Sequence, residues 1–533
     1  MSNPEVEPVI LTGQSRTHLE NLEPLSRKVF LPLSGPTPRD NRAIADRIRQ
    51  ALAPDYGRVA FPLSLMAELP GLWLLNNARG PLTVTLAETE NSWRIMDIEA
   101  GDTRRNHLGL AIDIGTTTVV VYLVDLASGE ILRHAPDYNG QVPLGEDILS
   151  RIRSAAEAEG LENLRQAVLG TLNRLIRRLS PAPGDTRAIS AIAIGANTTM
   201  VHLLLGLNPA SIAKVPYTPV VNNPGILTAA EIGLEVHPLA PVYCLPSVGS
   251  FLGGDVVAGI LVSGLHRQTE VSLFVDIGTN GEIVLGCADW LAACAGAAGP
   301  ALEGGVTTFG MRAEPGAIDR VSILPGGSPQ VEFSTIGNIP ARGICGSGLV
   351  DTLAELFLHG LVDRRAHLLN GQEQFLLVPR AETDPALDRD IAVSQADIDN
   401  LMATKGAVNA AIDLLLENVG CSWQEIHHFY AAGAFGQYLP VESAIAIGLY
   451  PDLPRAAIIR LGNSSGEGAR QALLSRAKRL EAEAICSKLT YFELNAEPAF
   501  MDKFRSSKFL PHTDLARYPS VEKRLADQKS SEL

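Results

Sequence analysis

Two stretches of this chain carry the residue types that hold a phosphate chain. Residues 108–125 read LGLAIDIGTTTVVVYLVD and residues 271–285 read VSLFVDIGTNGEIVL, each with Asp-Ile-Gly-Thr between apolar, β-branched runs. Such runs favour buried strands, so each copy predicts strand, tight turn, strand. Gly115 and Gly278 let a ligand approach the main chain. Thr116, Thr117 and Thr118 in the first turn, and Thr279 and Asn280 in the second, add polar side chains and N–H groups for phosphate oxygens. Asp113 and Asp276 fall at the strand ends as catalytic carboxylates, where each can hold the water shell of Mg²⁺, an ion that keeps most of its waters. A single D-x-G-T is equally a plain β-turn. Two copies 276 − 113 = 163 positions apart leave room in each half for a small sheet with its helices, and two facing copies make one nucleotide clamp.

Further glycine-rich turns bear on the same ligand. Residues 429–437, FYAAGAFGQ, read as a strand and a glycine turn, with Gly433 and Gly436 bordering a flat adenine ring. Residues 246–255 place N–H groups and Asp255 at a helix start, where an anion, a metal-bound water or plain capping are all open. The small-residue run 294–305 with Glu303 admits a bulky flat group or a close helix crossing. Turns at 343–348 and 462–469 each open a helix. In the amphipathic helix over 398–418, Lys405 either reaches a nucleotide or is solvated.

These turns need elements to position them. Residues 1–26 are polar and without period, and read as a linker or arm. Residues 27–104 read as a small α+β domain: a strand over 28–33, a helix over 41–52 capped by Thr37, a short helix near 64–69, and strands over 82–88 and 93–100. It holds no catalytic constellation, which points to docking or spacing. Residues 105–268 read as the first subdomain of the nucleotide clamp. After its hairpin come a strand at 130–133, a helix opened by 143–147, a helix over 161–179 ending in Arg174, Arg177 and Arg178, and a strand over 189–194. The next helix carries His202, read as a satisfied structural residue. Residues 269–515 form the second subdomain, closing with a strand over 489–494 and a helix near 498–504, and 516–533 are a polar tail.

Composition excludes several classes. The 46% hydrophobic and 19% charged residues and the 48 glycines suit a globular α/β enzyme of two or three domains. A net charge of −15 argues against a nucleic-acid partner, which requires a basic face. The purest apolar run, 256–265, is too short to span a bilayer, so no membrane association and a cytoplasmic location are expected. Cys244, Cys287, Cys294, Cys345, Cys421 and Cys486 lack any C-x₂-C pair and read as buried reduced thiols.

The order phosphate turn, phosphate turn, adenosine turn resembles the ATPase superfamily of acetate and sugar kinases, actin and heat-shock chaperones. That implies an α/β class with a duplicated actin/sugar-kinase/chaperone-type ATPase fold, preceded by the small α+β domain. A closer resemblance runs from residue 104 to about 521. The motifs DIGTTTVVVYLVDL, GANTTMVHLLLGLNP, DIGTNGEIVLG, AGPALEGG, GMRAEPGAI, GICGSGLVD, YAAGAFGQYLP, GNSSGEGA, ELNAEPAFMDKF and FLPH are similar to those of the reductive activators of corrinoid-dependent enzymes. The resemblance implies ATP and Mg²⁺ as cofactors and a corrinoid protein of a methyltransferase system as partner, returned from cob(II)alamin to cob(I)alamin. The arm and the small domain over 27–104 are similar to that family's linker and middle domain, and its members usually begin with a plant-type ferredoxin domain, whose cysteine ligands this sequence lacks. No intrinsic iron–sulfur cluster is therefore expected. A separate ferredoxin or flavoprotein supplies the electron, or this chain performs only the ATP-driven conformational half. Two other readings stay open: an ATP-switched binding module without a redox role, and a small-molecule kinase with Asp255 or Asp276 as base. The assembly is open too, with a homodimer as one option.

Overall fold

Each Asp-Ile-Gly-Thr hairpin lies within a six-stranded sheet of the computed structural model, which describes residue 19 and residues 21–531 except 34–36, 76–80, 182–184, 279–280, 297–306, 325–329, 370 and 495–496. The chain divides into two compact units. One comprises Gln14–Val262 with Ser464–Ser487, the other Ser263–Asn463 with Lys488–Leu533.

The first unit begins with a small sheet of β1 (Ser26–Leu31), β2 (Val59–Ala60), β3 (Leu82–Glu88) and β4 (Trp93–Ala100) in the order β1-β3-β4-β2. Helices α1 (Ile44–Tyr56) and α2 (Leu63–Leu75) share its core through Ile48, Leu52 and Leu69, which cluster with Val84 and Ile95. The Thr37 cap is a correction. Thr37 instead bridges to Asp40, and α1 starts after Ala43 with no side-chain cap. The Asp40 carboxylate is occupied by the guanidinium groups of Arg42 and Arg47, charge-assisted bonds stronger than a neutral cap.

β1 is tied to the following β-sheet by a buried network. Ser26 Oγ lies 2.9 Å from His107 Nε2 and 2.8 Å from Ser190 Oγ, and the Ser190 hydroxyl donates to the Leu108 carbonyl. Burial, reinforced by the charge of Lys28 and opposed by that of Asp125, pushes the His107 pKa down to about 4. A depressed histidine binds its proton better in the unfolded chain, so its stabilisation is complete above about pH 6.5 and disappears as pH falls through about 4. The loss attributable to His107 is about 3 kcal/mol. Urea denaturation between pH 4 and 6.5 is expected to show a shallower acid slope in His107→Gln than in the parent; parallel slopes would rule this out.

The next sheet contains β5 (Leu108–Ile114), β6 (Thr118–Asp125), β7 (Ile131–Tyr138), β8 (Ile189–Ala196), β9 (Ile226–Thr228) and β10 (Pro241–Cys244), ordered β7-β6-β5-β8-β10-β9. β5 runs antiparallel to β6 and parallel to β8, so it is central and apolar on both faces. Around it run α3 (Ile148–Ala155), α4 (Gly160–Leu179), α5 (Thr198–Leu205), α6 (Ala229–Ile232) and α7 (Gly254–Ser263). α4 buries Leu164, Val168, Leu172 and Leu175 at helical spacing.

The second unit repeats the plan with β11 (Ser272–Ile277), β12 (Gly281–Gly286) and β13 (Leu291–Gly296). A smaller sheet of β14 (Ala317–Leu324), β15 (Gln330–Thr335) and β16 (Gly343–Ile344) follows, then α8 (Gly346–Leu358), the hairpin β17 (Gln374–Val378) and β18 (Ile391–Ser394), and α9 (Gln395–Val419). The chain returns to the main sheet with β19 (His428–Ala432), α10 (Gly433–Tyr438), α11 (Val441–Ala446) and β20 (Ile458–Gly462). With β21 (Leu489–Tyr491) the order is β20-β19-β11-β12-β13-β21. Counted from the hairpin, both sheets share the order third, second, first, fourth, with β8 and β19 parallel to the first strand. The fold is thus a duplicated α/β unit.

Between β20 and β21, α12 (Ser464–Leu474) and α13 (Arg476–Lys488) belong mainly to the first unit, where α12 packs on β5 and β8. A Cβ on Gly195 would fall 2.5 Å from Ser465 Oγ, and one on Gly468 would fall 2.4 Å from the Ala258 Cβ, so α12 lies against β8 and α7 at main-chain distance. In the second unit α14 (Phe500–Ser507) runs along α9. The segment expected as a polar tail forms α15 (Pro519–Ser531), because Tyr518 and Val521 are buried in the core. Among the described residues no helix is long and apolar enough to cross a membrane.

Candidate functional site

In the first unit the turn between β5 and β6 closes tightly. The Gly115 N–H donates to the Thr118 carbonyl at 2.9 Å, and a Cβ on Gly115 would lie 2.8 Å from that oxygen, which only glycine avoids. All three carbonyls of the turn point into the protein. That of Gly115 accepts from Asn139 Nδ2 at 2.9 Å, that of Thr117 from the Asn139 N–H at 2.8 Å, and that of Thr116 from Arg151 Nη2 at 2.5 Å. In a planar trans peptide the N–H opposes the C=O, so the N–H groups of Thr116 and Thr117 are aimed the other way. That is an anion-binding arrangement built of main chain. Thr116 Oγ1 also accepts from Asn197 Nδ2 at 3.3 Å, while Asn197 caps α5 by accepting from the Met200 N–H.

Asp113, half-buried at the end of β5, lies opposite Gly195 on β8. Asp255, in the first turn of α7, has its pKa raised to about 6 by burial, with the charge of Asp113 adding to the rise and the Val256 N–H opposing it. The two carboxylates sense each other. Gly253 leaves room for them, since a Cβ there would lie 2.6 Å from Asp255 Oδ1 and 2.3 Å from the Asn197 Cα. Asp113, Thr116, Asn197 and Asp255 thus meet around one turn.

In the second unit Asp276 occupies the matching place on β11, paired with Ala432 on β19 and Glu282 on β12. Gly433 follows with φ +77°, and its missing Cβ would stand 2.6 Å from Asp276 Oδ1, so glycine is required for both conformation and space. Gly278 follows at the β11 end, while Thr279, Asn280 and Glu303 lie outside the described residues. The expected glycine turn at 433–436 is helical instead. Gly436 faces the main chain of Ala431, where a Cβ would come within 2.7 Å, so its small size serves the packing of α10 on β19.

Other singled-out residues are structural. His202 is fully buried, with Nδ1 2.7 Å from the Thr198 carbonyl and Nε2 accepting from the Val220 N–H. Lys405 neither reaches a ligand site nor meets solvent: it is fully buried, with Nζ donating to the carbonyls of Ser507, Phe509 and Pro511. Asn139, Arg151 and Asn197 shape the first turn without having been singled out. Asn197 carried a usable signal, a cap residue between a buried strand and a helix. Arg151 carried none, since it stands two positions from the exposed Arg153 on the same helix.

Comparison with known proteins places this arrangement. Residues 270–522 match the model for the C-terminal domain of RACo, the ASKHA domain; residues 108–268 match the RACo middle region, and residues 17–105 the RACo linker region, so the small domain expected as the middle domain falls in the linker region instead. The chain is 34% identical over 432 residues to the corrinoid activation enzyme RamQ of Eubacterium limosum, covering 77% of this chain and 72% of the relative. It is 24% identical over 410 residues to the methylated amine-specific corrinoid protein reductase of Methanosarcina barkeri, covering 72% and 73%. Among solved structures, a reductive activator for corrinoid, iron-sulfur protein superposes with a TM-score of 0.86 at 39% identity, over 97% of this chain and 85% of that one.

Proposed function

This chain belongs to the RACo family, and we propose that it is the ATP-dependent reductive activator of a corrinoid protein of a methyltransferase system, returning cob(II)alamin to cob(I)alamin. The observation that carries the reading is the pair of Asp-Ile-Gly segments, each ending the first strand of one of two sheets that share the order third, second, first, fourth. Phosphate oxygens are received by the N–H groups of Thr116 and Thr117 and the side chains of Thr116, Thr117 and Thr118. In this reading Gly278, Thr279 and Asn280 of the second motif take the opposing phosphate side, and Gly433 and Gly436 border the adenine side.

The donor set fits Mg²⁺. Asp113 and Asp255 of the first unit are hard oxygen donors beside its phosphate turn, and their mutual repulsion is what a nearby cation relieves; Asp276 is the matching carboxylate of the second unit. Mg²⁺ held by these carboxylates would neutralise phosphate charge, with their oxygens orienting it.

An iron–sulfur cluster does not fit the cysteines present. All six are free thiols, four of them buried, and no two stand in a C-x₂-C pair. The electron in this reading comes from a separate ferredoxin or flavoprotein, and a cytoplasmic setting suits the free thiols. ATP need not touch the electron. A nucleotide that favours one protein conformation by ~10⁴-fold supplies about 5.5 kcal/mol. For one electron that is on the order of 240 mV, enough to bring a low-potential couple within reach.

The test is the visible spectrum of a cob(II)alamin protein mixed with this protein, Mg²⁺, ATP and a strong reductant, with and without a ferredoxin. The cob(I)alamin band is expected only when protein and ATP are both present. ATP hydrolysis without that band on any native partner would move the assignment to a switch or a kinase.

A further inference from the structure

Arg151 is fully buried beneath the first phosphate turn. A guanidinium keeps its charge in proteins, so this is a permanent buried cation. Its contacts are neutral: Nη2 donates to the Thr116 carbonyl at 2.5 Å, Nη1 to Gln141 Oε1 at 3.0 Å and to Met200 Sδ at 3.2 Å, and Nε to the Gly145 carbonyl at 2.8 Å. Among the described residues no carboxylate lies within ion-pair distance, although the field of Asp147 reaches it. The chain is moulded around the group. Gln141 is fully buried, its Nε2 held by the Leu164 carbonyl, and a Cβ on Gly145 would come within 2.9 Å of the Arg151 Cγ.

A buried charge without a partner is costly, and an apolar side chain of similar volume would serve packing alone. What the cation adds is field. It grips the carbonyl side of the turn whose opposite side presents N–H groups, so its positive potential acts through the turn toward whatever those groups bind.

Building on the nucleotide reading above, we propose that Arg151 is a positioning residue whose counter-charge is the polyphosphate of the bound nucleotide, and that it both fixes the Thr116 peptide and raises its affinity for anionic oxygen. The ligand it selects is a polyphosphate with Mg²⁺, not the nucleoside. Lysine in its place keeps the charge but loses the fork that spans Thr116, Gln141 and Gly145.

The experiment is calorimetric titration of ATP, pyrophosphate and adenosine, with Mg²⁺, onto the parent, Arg151→Lys and Arg151→Met. The affinity of ATP and pyrophosphate is expected to fall about 100-fold in Arg151→Met and about 10-fold in Arg151→Lys, with adenosine unchanged. ATP affinity within threefold of the parent in a folded variant overturns the proposal, and so does a joint fall of ATP and adenosine, the signature of a plain folding role. If Arg151→Met does not fold, the thermal shift given by pyrophosphate decides: it is expected in the parent and much smaller in Arg151→Lys, and equal shifts overturn the proposal. A parent that binds neither ATP nor pyrophosphate overturns the nucleotide reading itself, a result distinct from any difference among variants.

Discussion

An Asp113→Ala variant is expected to fold like its parent and to hydrolyse ATP about 10³-fold more slowly. Asp113 ends β5 half-buried and stands outside the apolar cluster formed by Leu110, Ile112 and Ile114 on the same strand, so its removal opens no core cavity. It also lifts a like charge from Asp255, whose raised pKa owes part of its rise to that neighbour. On the proposed assignment the effect is expected to fall on chemistry, through the metal's water shell and the placement of phosphate. Asp276→Ala carries the same expectation in the second unit, where the carboxylate stands against Gly433. Steady-state ATPase assays beside circular dichroism and thermal melts check both. Parental turnover in either folded variant would remove that carboxylate from the catalytic assignment.

Lys405→Met is expected to destabilise the protein by about 3–5 kcal/mol and to loosen the segment after α14. The ammonium donates to the carbonyls of Ser507, Phe509 and Pro511 at 2.5, 2.8 and 2.6 Å, so three donors meet three acceptors. Burial pushes the Lys405 pKa down to about 7, with the charge of Asp413 opposing the fall and that of Arg517 adding to it. Four and eight residues further along α9, Asn409 Nδ2 donates to the Gly448 carbonyl at 2.6 Å, and Asp413 accepts from Arg517 and Trp423 at 2.8 and 2.6 Å. This buried polar stripe straps residues 507–518 to α9, and methionine would leave three carbonyls unsatisfied. Chemical denaturation and hydrogen exchange over residues 505–520 measure the effect. A variant within about 0.5 kcal/mol of the parent and with unchanged exchange would show the strap to be held by other contacts.

Local pattern carried much of this. β5, β6, β11 and β12 are legible because apolar, β-branched runs broken by Asp-Ile-Gly-Thr have few conformations that both bury the runs and satisfy the turn. α4 and α9 were equally readable, since their apolar residues recur at helical spacing. Local signals failed where distant groups competed for the same atoms. Thr37 had the chemistry of a cap, but Asp40 found two guanidinium groups and α1 began later. Gly436 had the composition of a turn, but α10 needed that glycine to lie against Ala431. The polar composition after residue 515 concealed Tyr518 and Val521, which are core residues.

What the sequence by itself determined is the duplication, the two turns and the carboxylates ahead of them, because these depend on neighbours within a few positions. Only the tertiary structure decided which polar residues stand behind the first turn and which are turned inward. Arg151 and Arg153 have the same chemistry and almost the same address, yet one is sealed beneath Thr116 and the other is exposed. Lys405 looked like any helix lysine until residues 507–511 brought three carbonyls across it. The reason is physical: burial of a charge is set by groups tens or hundreds of residues away, and no local period records where they return.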